Sequence, residues 1–157
     1  MKNWSLEAAV AAYFERDYKD GDLVTHYALH DMLDMPPEGT MDNRMWALTF
    51  MDRFEQFKDT LLRQHRIYLS NVRGKGYLVV PPDEQAHTAM LAAMNDIRRA
   101  AGKCTKALEY ARVEEMSGDA RRRHTDAQVR FAGLRGMLGK EKTNIFQLFN
   151  RTQKPEV

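Results

Sequence analysis

Arg73-Gly74-Lys75-Gly76 sets two cations among two glycines in the middle of β-type runs, with Ile67, Leu69 and Val72 before it and Tyr77 to Val80 after it. Aromatic and β-branched residues around glycines that accept φ > 0 predict a hairpin whose tip projects. Arg73 and Lys75 on such a tip suit the phosphates or the minor groove of a duplex. A solvated turn closing the edge of a helical domain is the plainer reading of the same residues. The densest basic run is Arg121-Arg122-Arg123-His124, with Arg98-Arg99, Lys103 and Lys106 upstream and Arg130, Arg135, Lys140 and Lys142 downstream. It suits a polyanion, although solvated helix faces commonly look the same.

Catalytic chemistry finds little to hold. His26 and His30 stand four apart, the helical spacing that sets two imidazoles on one metal, but no third ligand follows at a recognisable offset. The pair is expected to face solvent or DNA, and no metal or cofactor is expected. There is no nucleophile elbow, and Gly74-Lys75-Gly76 lacks the spacing and following helix of a nucleotide loop. The chain does not read as an enzyme.

The elements that must position these residues are mostly helical. Thr25 can cap a short helix from His26 to Leu33, with Tyr27, Leu29 and Leu33 on its buried side, and Asp34 to Gly39 with its paired prolines ends it. From Asp42 to about His65, Met45, Trp46, Leu48, Met51, Phe54, Leu61 and Leu62 recur mostly at three- and four-residue steps. That spacing predicts a long amphipathic helix running into the hairpin, with the methionines as packing residues.

Helix, short helix, long helix and hairpin is the order of a winged helix-turn-helix. Asn71-Val72-Arg73-Gly74-Lys75-Gly76-Tyr77 resembles the wing of the response-regulator DNA-binding domains, and the match covers roughly residues 5 to 80. The resemblance implies a recognition helix in the major groove, Arg73 as the wing contact and Tyr77 as a packing residue. On this reading Arg44, Arg53, Lys58 and Arg63 are the contacts of the long helix, beside Arg73 and Lys75 of the wing and Arg121, Arg122 and Arg123 as auxiliary phosphate contacts. The long helix departs from that family by mixing its cations with Asp52, Glu55 and Asp59, and an upstream receiver domain is not expected. A two-component signalling role is therefore not expected.

Charge is segregated along the chain. Residues 1 to 80 hold ten Lys or Arg against twelve Asp or Glu, about −2, and residues 81 to 157 hold fourteen against ten, about +4. Within the basic half, Met90, Met94, Ile97, Ala101, Cys104, Leu108 and Ala111 form one apolar seam, and Ala120, His124, Ala127, Phe131, Leu134 and Leu138 form a second in a different phase. The slip at Ser117-Gly118-Asp119 is solved either by an antiparallel helical hairpin or by one long kinked helix. Both seams are rich in small residues that bury little, so a second copy is expected to complete the core through Met90, Met94, Ile97, Ala101, Leu108, Phe131 and Leu134. An intramolecular helical cap on a monomer is the alternative. In the tail, Thr143 is expected to cap a short segment in which Ile145, Phe146, Leu148 and Phe149 dock on the chain's own core or on a protein partner, and the residues after Asn150 read as disordered.

The expected organisation is thus mainly α with a small β-hairpin. A winged-helix-like domain spans 1–82, a helical hairpin or coiled-coil dimerisation region 83–138, and a short amphipathic segment and tail 139–157. No apolar run approaches the roughly 20 residues of a membrane span, no signal-peptide core opens the chain, and the single cysteine suits a reducing cytoplasm. The expected function is a dimeric DNA-binding regulator of transcription or replication. The alternative is a winged-helix protein-interaction module, such as an adaptor or a phage- or plasmid-type inhibitor of a host nucleic-acid enzyme.

Overall fold

A computed structural model describes residues 4–151, with the side chains of Phe146, Leu148, Phe149, Asn150 and Arg151 left out. It is mainly helical, with a small antiparallel sheet, and divides between Thr88 and Ala89 into two compact units.

The first unit runs α1 (Leu6–Glu15), β1 (Leu23–Thr25), α2 (His26–Met32), α3 (Asn43–His65), β2 (Leu69–Val72) and β3 (Gly76–Val79), and then enters α4 (Pro82–Glu109). Side-chain oxygens set the helix starts by satisfying otherwise orphaned amides: Ser5 accepts from Ala8 N at 3.1 Å, Thr25 from Ala28 N at 3.2 Å, and Asp42 from Arg44 N at 2.9 Å. α3 stops at Arg66, which turns left-handed at φ 60° while Ile67 N donates back to Leu61 O at 3.0 Å. Pro82 opens α4 where a missing N–H costs nothing, with Asp83 and Glu84 at the positive end of its dipole. The sheet order is β1-β3-β2, both pairings antiparallel, so the last strand lies in the middle with Leu78 opposite Leu23 on one side and Ser70 on the other.

The core of this unit is Tyr13, Val24, Leu29, Leu33, Phe57 and Leu61, closed by Leu69 and Val79. Burying each such side chain contributes about 1.5–3 kcal/mol. Along α3 the inward row is aromatic: Trp46 stacks on Phe50 at 6.0 Å, Phe50 on Phe54 at 5.6 Å, and Phe54 meets Tyr77 of β3 at 4.4 Å. Met45, Leu48 and Met51, expected as packing residues of that helix, point the other way and are 56%, 52% and 60% exposed. At 100° per residue Met45 and Leu48 lie across the helix from Phe54 and Leu61 and Met51 lies to the side, so the expected single apolar face is split in two. Tyr27 likewise lies outside the core that holds Leu29 and Leu33, at 84% exposure.

In the second unit α4 ends at Glu109, a short 3-10 turn (Val113–Glu115) follows, and α5 (Gly118–Arg151) returns antiparallel, with Gln128 Nε2 donating to Leu108 O at 3.4 Å. The phase slip is thus solved as a hairpin, and the chain breaks ahead of Gly118, over Tyr110 to Ser117, where Ser117 Oγ accepts from Ala120 N at 3.3 Å. α5 does not end at Leu138. It runs on through Gly139, and Thr143 caps nothing, because its hydroxyl donates to Gly139 O at 3.2 Å inside the helix. The expected docking residues Phe146, Leu148 and Phe149 fall among the side chains left out, and the stretch expected to be disordered lies almost wholly beyond the described residues. Of the two seams only Met94 and Ala101 are buried; Cys104, Leu108 and Phe131 are half-buried, and Met90, Ile97 and Leu134 remain exposed. Among the described residues no helix is long and apolar enough to cross a membrane.

Candidate nucleic-acid interface

The β2–β3 turn is closed by Lys75 N donating to Val72 O at 3.0 Å, with Gly74 at φ 74°. Gly76 stands at φ 144° under β1, and a Cβ there would lie 2.1 Å from Val24 O. The turn is therefore fixed by backbone contact below and left open above. Arg73 and Lys75 are both exposed, and neither side chain has an ion-pair or hydrogen-bond partner among the described residues. Tyr77 packs at the base against Phe54 and His26, and burial, offset by Lys58 and reinforced by Glu55, raises its phenol above the ordinary value.

The four cations of α3 are held very differently. Arg53 Nη1 donates to Leu33 O at 2.9 Å and Asp34 O at 2.7 Å, and its guanidinium lies 5.3 Å from the Trp4 ring centroid. It closes the C-terminal end of α2, whose last carbonyls have no helical partner. Lys58 pairs with Glu55 at 2.7 Å over the Phe54 ring, and Arg63 pairs with Asp59 at 2.9 Å. Only Arg44 has a side chain with no partner among the described residues. The outward face of α3 is otherwise Met45, Leu48 and Met51 beside Asp52 and Glu55. The apolar groups there make no hydrogen bonds to base edges, and the acidic groups repel phosphate. This face was hidden in the sequence behind the aromatic row; the signal was the clean four-residue step of Trp46, Phe50 and Phe54.

The histidine pair faces rings more than solvent. His30 sits edge-on to Trp46 at 4.9 Å and to Phe50 at 5.2 Å, and burial, with help from His26, lowers its pKa below the ordinary 6.5. No group of three metal-ligating side chains occurs among the described residues. The loop between α2 and α3 is pinned by Trp46 Nε1 donating to Pro36 O at 2.8 Å.

In the second unit Arg121 donates to Val113 O and Glu114 O, both at 3.0 Å, so it ties down the interhelical turn. Arg122 is 3.9 Å from Asp119, and Arg123 has no side-chain partner among the described residues. Of the nine cations expected to contact nucleic acid, the structure leaves Arg44, Arg73, Lys75 and Arg123 uncommitted. No protein-family model, curated protein or solved structure matches the chain.

Proposed function

We propose that the chain is a winged-helix DNA-binding regulator of transcription or replication, acting as a dimer in the cytoplasm. The observation that carries the reading is the tip of the β2–β3 hairpin, where two exposed cations have no carboxylate partner among the described residues. The order α1-β1-α2-α3-β2-β3 and the sheet order β1-β3-β2 support it, since a winged helix-turn-helix has a recognition helix followed directly by its wing. The half-exposed seams of the second unit support pairing of two copies. Because α3 offers one uncommitted cation, affinity rests on the wing and on backbone contacts. Binding by this interface is accordingly salt-sensitive and weakly selective for sequence.

Fluorescence anisotropy with a random-sequence duplex across a salt series tests this. Removing both wing cations by Arg73→Ala and Lys75→Ala lowers the slope of log affinity against log salt by about 2, at ~0.9 per phosphate contact. An unchanged slope and affinity overturns the assignment.

One observation favours a second reading. Met45, Leu48 and Met51 form an exposed, adaptable apolar row on α3, as a protein-interaction module would present to an adaptor target or to an inhibited nucleic-acid enzyme. On that reading the purified chain shows no duplex binding even at low salt.

A further inference from the structure

The second unit holds a cleft of about 730 Å³ between α4 and α5, lined by Asn95, Arg98, Arg99, Arg135, Gly139 and Lys142 together with apolar residues. Four cations from two helices converge on it, and no carboxylate among the described residues lines it. Elsewhere in the chain Lys58, Arg63, Arg122 and Arg130 each pair with an acid three or four residues away on their own helix. The cleft cations are set differently. The neighbours of Arg98 at those spacings are Met94, Asn95, Ala101 and Gly102, those of Arg135 are Phe131, Ala132, Leu138 and Gly139, and those of Lys142 are Leu138, Gly139, Ile145 and Phe146. None carries a charge, so no helical acid can compensate any of the three. Their side chains have no partner among the described residues, and only Arg99 is engaged, with Asp96 at 3.1 Å.

Like charges held around one cavity repel unless an anion sits between them. Gly139 lines the cleft without a side chain, and a Cβ built on it meets nothing within 4 Å. We infer that this cleft binds closely spaced phosphates, with Arg98 and Arg135 as opposing guanidinium clamps, Lys142 as a point charge and Asn95 as a neutral donor. Guanidinium pairs bidentately with phosphate oxygens, and a ligand carrying several adjacent phosphates engages both helices at once. Such a ligand is either a free polyphosphate chain or the backbone of a polynucleotide. The site is independent of the wing, being built from the other unit.

Isothermal titration calorimetry of the full chain with inorganic tripolyphosphate, and in parallel with a random-sequence duplex, tests the inference. Both titrations are made on protein already carrying Arg73→Ala and Lys75→Ala, so that failure of the wing reading leaves this test intact. Tripolyphosphate binds, and adding Arg98→Glu with Arg135→Glu weakens it at least about tenfold, whereas Arg98→Lys with Arg135→Lys, which keeps the charge but not the bidentate fork, weakens it less than charge reversal does. Circular dichroism confirms that helical content is unchanged; should charge reversal unfold the hairpin, Arg98→Gln with Arg135→Gln replaces it. A parallel loss of duplex affinity identifies the source as a polynucleotide backbone, and a loss confined to tripolyphosphate identifies a free polyphosphate. Affinities for both probes that are absent, or that do not respond to the substitutions, overturn the inference.

Discussion

Gly76 lies so close under Val24 that a Cβ built on it would stand 2.1 Å from the Val24 carbonyl oxygen and 2.9 Å from Thr25 Cα. The wing and the first strand therefore share one constraint, because both atoms it would strike are backbone and the strand cannot move without breaking its ladder to β3. Gly76→Ala is expected to destabilise the first unit by about 2 kcal/mol or more, since it combines a backbone clash with a left-handed φ of 144°. Gly74→Ala, at φ 74° with nothing within 4 Å, costs only the left-handed conformation, about 1–2 kcal/mol. Urea titration of the two variants checks the order, and a Gly76→Ala protein as stable as Gly74→Ala would mean that β1 is free to shift.

Arg53 is a second point where a residue expected to touch DNA serves the fold. Its two hydrogen bonds to Leu33 O and Asp34 O are charge-assisted, and each such bond contributes about 1.5–3 kcal/mol when neither partner is left in water. Arg53 is only partly buried, so the lower end applies. Arg53→Met keeps the stem and loses both bonds, and is expected to lower stability by about 3 kcal/mol in urea titration. The salt slope of duplex binding, measured where the variant is fully folded, stays at the wild-type value. A reduced slope with unchanged stability would return Arg53 to the interface.

Tyr13 is 2% exposed, and its hydroxyl has no hydrogen-bond partner among the described residues. Burial first, then Tyr18, Asp20 and Asp22, push its pKa up to about 12 from the ordinary 10.0. The folded state thus keeps a proton that the unfolded chain releases at lower pH. The stability tied to that proton is complete below pH 10 and is lost as pH rises toward 12. Tyr13→Phe removes both the unsatisfied hydroxyl and this titration. The variant is expected to be at least as stable as wild type at pH 7 and to show a shallower fall in thermal midpoint between pH 9.5 and 11.5, roughly the window set by linkage. A less stable variant would point to a bound water on the hydroxyl.

How far the sequence reveals this fold depends on whether a feature is local. Thr25 and Gly74 announce their roles because caps and turns are decided within four residues, and each acts where expected. Leu23-Val24-Thr25 gives no comparable signal: a three-residue strand has no alternation to read, and its partner β3 lies more than fifty residues on. On α3 both sides carry apolar residues at helical spacing, and only packing decides between them; the aromatic row is taken inside because it buries more area per residue. Gly139-Lys140-Glu141-Lys142 reads as a boundary, yet a single glycine costs a long helix only about 1 kcal/mol, so α5 passes through. The candidate sites follow the same rule. The wing is legible as a tip motif, whereas the cleft of Arg98, Arg135 and Lys142 exists only once the hairpin brings α4 and α5 together.

The second unit presents the clearest prediction about assembly. Ile97 and Leu134 belong to the apolar seams of α4 and α5, yet each is 43% exposed, and Met94 and Ala101 alone among the described seam residues are buried. Two helices that bury so little gain stability by adding a second pair, since each seam side chain covered contributes about 1.5–3 kcal/mol. Light scattering is expected to find a dimer at micromolar concentration, and Ile97→Glu with Leu134→Glu to convert it to a monomer with a lower thermal midpoint. Both glutamates would sit at positions that are half-covered in the hairpin itself, so circular dichroism of the monomer must still show its helices. A wild-type chain that stays monomeric over a hundredfold range of concentration would assign these side chains to a different partner, and the seams would then be an open face of a single hairpin.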